Sequence, residues 1–150
     1  MSSSIRRILC PTDFSKPSEH AVKYAANLAK ELGAKLQLLH VYEIPTFATP
    51  DGAFIADAAW VTSLLTNASK ELDRASEPFK DDELDIKTHT VQGSAHAEIV
   101  HFADRAEADL IVMATHGRSG LSRFLMGSVA ERVVRTSNVP VLTVHSPEGK

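Results

Sequence analysis

Four consecutive apolar residues, Leu110 to Met113, followed by glycines at 117, 120 and 127, constrain this chain more than any other feature. A run without polar alternation reads as a strand buried on both faces, inside a sheet that helices cover on each side. The surrounding stretch, DLIVMATHGRSGLSRFLMGSVAERVVR from Asp109 to Arg135, holds three of the chain's seven glycines and then resumes as a helix. Ser128, followed three residues later by Glu131, predicts a capping box at that helix start. Strand, glycine-bearing loop and helix N-terminus bring unpaired amides and the positive end of a helix dipole to one spot, where anions bind. The same order also serves as an ordinary βα connection, in which the glycines permit turns and Ser128 only caps. The other segments decide between the two.

Ile5 to Cys10 reads as a short strand ended by Pro11, and Thr12-Asp13-Phe14-Ser15 as a turn into a helix. Ser15 is placed to cap that helix, with Pro17 in its first turn. Ala21, Val22, Ala25, Leu28, Ala29 and Leu32 mark its buried face, and Gly33 its stop. Leu36 to Tyr42 predicts a central strand. Glu43 to Gly52, with Pro45 and Pro50, predicts a long loop, a lid or a variable surface segment. The stripe Ala58, Val61, Leu65, Ala68, Leu72, Ala75 and Phe79 predicts a long amphipathic helix packed on the sheet, ended by Pro78 and the solvated turn Asp81-Asp82-Glu83. Leu84 to Val91 alternates apolar and polar, as an edge strand does. Gln92-Gly93-Ser94 turns the chain, Ser94 caps a helix carrying Ile99, Val100, Ala103 and Ala106, and Pro140 to Val144 supplies a last strand. There are no repeats or linkers. Strands and helices alternate, which predicts an α/β protein with a parallel sheet. Ligands in such sheets sit beyond the strands' carboxyl ends, where strand order reverses. If the first and fourth strands are neighbours there, Asp13 faces the glycine loop.

The chain's 150 residues, 43% hydrophobic and 23% charged, suit one soluble globular domain over 1–150, with residues 1–4 and 146–150 as frayed tails. A net charge of −3 provides no electrostatic footprint for nucleic acid. No apolar run reaches the roughly 20 residues that span a bilayer, and MSSSIRR is followed by no signal-like core. The lone Cys10 excludes an intramolecular disulfide and reads as inert packing. The expectation is a cytoplasmic protein that binds neither membrane nor nucleic acid.

With ILCPTDFS, LLHVYE, VQGSAHAEIV, ATHGRSGLSRFLMGS and PVLTV in view, the sequence resembles the universal stress protein family over nearly its whole length. Nucleotide-binding members carry Gly-x-x-Gly, nine residues, then Gly followed by Ser or Thr. Gly117, the nine residues RSGLSRFLM and Gly127-Ser128 match, while Ala114 stands at the first glycine's position. The resemblance implies an open five-stranded parallel sheet in the order 3-2-1-4-5 with helices on both faces, Rossmann-like and akin to the adenine-nucleotide alpha hydrolases. It further implies a homodimer, and ATP as ligand, with or without Mg. It maps the acidic residue after the first strand onto Asp13, and the adenine-side backbone contact onto Val41. The expected nucleotide site comprises Pro11, Thr12 and Asp13; Val41; Met113, Ala114, His116, Gly117, Arg118 and Gly120; and Gly127, Ser128 and Val129.

Each residue also has a plainer role. Asp13 either bonds its own turn or takes a ribose hydroxyl or a metal-mediated phosphate contact. Glycines 117 and 127 let amides approach phosphate, or simply turn the chain. Arg118 and Arg123 neutralise a triphosphate, or stand in solvent. His116 meets ligand or water. His96 and His101, five apart, lie about 140° around a helix and cannot share a metal. No Gly-x-Ser-x-Gly elbow occurs, and no lysine follows the last glycine as in a P-loop. Three classes stay open. The first is an ATP-binding regulatory module of the stress response with an unidentified protein partner; the second is a ligand-free dimeric interaction protein of the same fold. The third is an enzyme of the wider hydrolase-like group, although the Ser-Gly-Gly loop of some such enzymes is replaced by PTDFS. The first is favoured, with ATP hydrolysis slow at most, and the homodimer is expected to join across Pro140–Val144, whose outer edge nothing later in the chain covers.

Overall fold

The computed structural model describes residues 4–44, 47–49, 52–54, 57–80, 83–117 and 126–146. Its strands are β1 (Arg7–Pro11), β2 (Lys35–Tyr42), β3 (Phe47–Thr49), β4 (Gly52–Phe54), β5 (Ile86–Gln92), β6 (Leu110–Ala114) and β7 (Val141–Val144). Its helices are α1 (Lys16–Leu32), α2 (Ala58–Ser76), α3 (Ala95–Arg105) and α4 (Ser128–Thr136), with a single 3-10 turn at Glu77–Phe79. Five strands form one parallel sheet in the order β5-β2-β1-β6-β7. Counted without the β3–β4 hairpin, that is the expected 3-2-1-4-5.

The burial pattern explains the layering. All five residues of β6 are buried, because the strand is sandwiched between helices. Leu110 and Val112 join the core beneath α1 and α2 with Ile8, Cys10, Leu38 and Leu72. Ile111 and Met113 point the other way, to Leu39, Ile99, Ala103, Ala130 and Val133 beneath α3 and α4. Burial pushes the Cys10 thiol up to about 12, so it stays protonated and unreactive.

Several local expectations shift. Ser15 caps α1, accepting from the Ser18 amide, and Gly33 ends it in the left-handed conformation at φ 66°. Leu32 is 47% exposed, because α1's buried face runs through its alanines. The segment expected to be a loop, Glu43 to Gly52, contains β3 and the first residue of its antiparallel partner β4, while Pro45 and Pro50 lie outside the described residues. Of the α2 stripe, Ala68 and Leu72 are fully buried and Ala58 is exposed. A 19-residue helix, about 28 Å long, outreaches the seven-residue edge strand β5 on which it packs. Ser94 holds the cap position of α3, but its hydroxyl makes no cap bond and lies 3.3 Å from His96 Nδ1. At α4 the capping box does not form. Gly127 is the N-cap residue, Ser128 is already helical, and Glu131 turns forward to pair with Arg135.

Candidate functional site

The chain runs outward from β1 to β2 and β5, then returns to β6 on the opposite side of β1. Strand order therefore reverses between β1 and β6, the place where α/β sheets hold ligands. The two strands also part company there. β1 pairs with β2 over five residues but with β6 only at Ile8↔Leu110 and Leu9↔Ile111. Proline contributes to the opening. The Thr12 amide bonds the Leu39 carbonyl on the β2 side, so position 11 addresses β6, and a proline there has no N–H to continue the ladder.

The crevice holds a cavity of about 270 Å3, near the lower end of the roughly 300–1,000 Å3 typical of small-ligand sites. Pro11, Thr12 and Asp13 form one wall, and Met113, Ala114, His116 and Gly117 form the facing wall. Val41 closes the β2 side, and Gly127, Ser128 and Val129 close the α4 side. Arg118 and Gly120, with Arg123, lie outside the described residues. Thr115, Ala130 and two residues of α3, Ala95 and Ile99, also line the cavity and were absent from the expected set. Helical spacing had assigned Ile99 to the core, which is also true: it is 3% exposed, with one side toward Leu39 and the other bounding the cavity.

Asp13 divides its carboxylate between two tasks. Oδ1 accepts from the Ser15 amide at 3.0 Å and from the Ser15 hydroxyl, an Asx-turn that joins it to the cap of α1. Oδ2 reaches across the crevice to Gly117, where any side chain would collide with it. The two βα turns are thus in contact, and a side chain at 117 would displace the end of the Asp13 carboxylate. Gly127 has a different neighbour. Its amide donates to the Thr115 carbonyl at 2.6 Å, and a Cβ would lie 3.1 Å from that oxygen. The Gly127 amide thereby pins α4 to the end of β6. The amides of Ser128, Val129 and Ala130 follow it, in the first turn of a helix that no side chain among the described residues caps.

Buried Thr115 places its hydroxyl 3.0 Å from His116 Nδ1 and 3.3 Å from His145 Nδ1, so the wall of the cavity is linked to the end of β7. Among the described residues no group of His, Cys, Asp and Glu is arranged to hold a metal. No helix among them is long and apolar enough to cross a membrane.

The universal stress protein family model matches residues 4–145. This chain belongs to the universal stress protein family. It is 37% identical to universal stress protein MJ0531 of Methanocaldococcus jannaschii over 146 residues, 95% of this chain and 84% of that one. Among solved structures it is similar to MJ0577 of the same organism, with a TM-score of 0.78, 28% identity and coverage of 97% and 99% of the two chains. It is also similar to a universal stress protein solved in complex with cAMP, at a TM-score of 0.74 and 29% identity over 95% and 99%. The family's open α/β sheet is thus the fold of this chain, and its role lies in the stress response.

Proposed function

We propose that this universal stress protein binds an adenine nucleotide, ATP in particular, in the crevice between β1 and β6 and uses it as a regulatory signal. The observation that carries the reading is the polarity of the cavity. Val41, Ile99 and Met113 offer apolar surface to a base, while the uncapped start of α4 offers amides and a positive dipole end to phosphates. Asp13 lies between them, within reach of a ribose hydroxyl or of a Mg ion carried by the phosphates. The fit to nucleotide is supported by the absence of a side chain at Gly117 and Gly127, where a Cβ would meet the Asp13 carboxylate and the Thr115 carbonyl. A similar protein was solved with cAMP, which supports the adenine class.

A ligand-free dimeric interaction module is the competing reading, and one observation favours it: Gly127 is explained by its bond to Thr115 without any phosphate. Mass spectrometry of protein denatured straight from purification separates the two, since a retained nucleotide supports the first. Adding Mg-ATP at about 100 times its dissociation constant should stabilise the fold by roughly 2.7 kcal/mol, a melting shift of roughly 5–10 °C. An unmoved melting curve together with calorimetry showing no heat would remove the nucleotide reading.

Hydrolysis is expected to fall below the roughly 1 s⁻¹ at which ordinary enzymes begin. Within the described lining, His116 is the one imidazole, and Thr115 already engages its Nδ1. Rapid turnover lost in His116→Ala would overturn that expectation. We also propose a homodimer joined across Pro140–Val144, since β7 ends the sheet. Light scattering should then return twice the 16.3 kDa chain mass, and a monomer at micromolar concentration would count against it.

A further inference from the structure

We propose that His40 is a positioning residue for the nucleotide site: from β2 its Nδ1–H holds the Thr12 carbonyl and so fixes the turn that presents Asp13. The inference rests on the nucleotide reading above and adds to it a residue that lines none of that cavity. Every polar group of buried Thr12 is engaged. Its amide donates to the Leu39 carbonyl at 2.9 Å, and its hydroxyl lies 3.0 Å from Ser18 Oγ and accepts from the Phe14 amide at 3.1 Å. Its carbonyl oxygen lies 2.9 Å from His40 Nδ1. A carbonyl only accepts, so Nδ1 carries the hydrogen, a condition met by the Nδ1–H tautomer and by the imidazolium alike.

The next residues show why the hold is needed. Phe14 has φ 64°, a left-handed conformation that a bulky residue adopts only when its surroundings impose it. Its ring packs against the His40 ring, with centroids 4.4 Å apart and planes tilted by 32°. Asp13 sits between the two residues that His40 touches. With the imidazole gone, the buried Thr12 carbonyl loses its donor and Phe14 loses its support. The turn then relaxes toward ordinary backbone and carries the Asp13 carboxylate away from Gly117.

Three substitutions and one spectrum test this. Asparagine places an amide N–H near the position of Nδ1, while phenylalanine keeps a ring without a donor. His40→Asn should bind Mg-ATP within about threefold of wild type, and His40→Phe about tenfold more weakly, the effect of one buried hydrogen bond. Because the effect passes through Asp13, adding His40→Phe to Asp13→Ala should cost less than about twofold more. In ligand-free protein, nitrogen NMR at neutral pH should show His40 protonated at Nδ1. An Nε2–H tautomer, equal losses in the asparagine and phenylalanine variants, or a full tenfold loss on the Asp13→Ala background would each overturn the role while wild-type binding stands. Wild-type protein that binds no Mg-ATP, with the Nδ1–H signal present, would overturn the nucleotide reading and this role with it.

Discussion

The turn after β1 is held by its own side chains. Thr12, Asp13, Ser15 and Ser18 bond one another and the nearby amides, Ser15 caps α1, and His40 reaches in from β2. The segment after β6 leads to a helix with no side chain at its cap: Gly127 starts α4 and spends its amide on Thr115. Both are βα connections at carboxyl ends of neighbouring strands in one sheet. One is closed upon itself and can aim a carboxylate; the other ends in a helix start whose Ser128, Val129 and Ala130 line the cavity. A site for a molecule with a polar sugar and an anionic tail needs one of each.

Gly127→Val tests the open side hardest. The added branches crowd the Thr115 carbonyl, so the fold should lose about 1–3 kcal/mol, and Mg-ATP should no longer raise the melting temperature. Retained ligand stabilisation in that variant would mean that phosphate does not meet this segment. Gly117→Ala strikes where the turns touch. The methyl group displaces only the end of the Asp13 side chain, so stability should change by under about 1 kcal/mol while affinity falls about tenfold in calorimetry. Ser15→Ala acts on the closed side alone. Losing the cap should cost about 1 kcal/mol, read as a melting temperature lower by roughly 2–4 °C, with a smaller effect on affinity.

The smallest effect lies outside both turns and serves as their control. His89 on β5 packs on Phe102, and its Nε2 is buried without a partner among the described residues. Burial, and then neighbouring Lys87, lower its pKa from the ordinary 6.5. The unfolded chain therefore takes the proton first, so this stability is whole above pH 6.5 and is lost as the pH falls through the folded value. His89→Leu should flatten that part of the decline in urea denaturation measured one pH unit either side of 6.5, without altering nucleotide affinity there. An unchanged slope would show that His89 is not the group responsible.

Strand and helix order was legible because β6 is wholly apolar, β5 alternates, and Ser15 with Gly33 brackets α1 by local chemistry. The location of the crevice followed from the reversal of strand order. What was not legible depended on partners distant in sequence. Ser128 and Glu131 carry the capping-box pattern, yet Gly127's bond to Thr115 sets the helix start one residue earlier and Arg135 takes the glutamate. Ile99 looked like core alone because its periodicity says nothing of the cavity on its far side. What Gly117 and Gly127 face, a carboxylate in one case and a carbonyl in the other, is visible only with the walls in place.

The central claim is that phosphate meets the first turn of α4. Amide NMR on the wild-type protein tests it most directly, by titrating Mg-ATP and, separately, adenosine. Mg-ATP should move the Ser128, Val129 and Ala130 amides strongly, while adenosine moves Val41 and Ile99 and leaves that turn nearly still. Saturable Mg-ATP binding that shifts other regions and leaves those three amides in place would contradict the account.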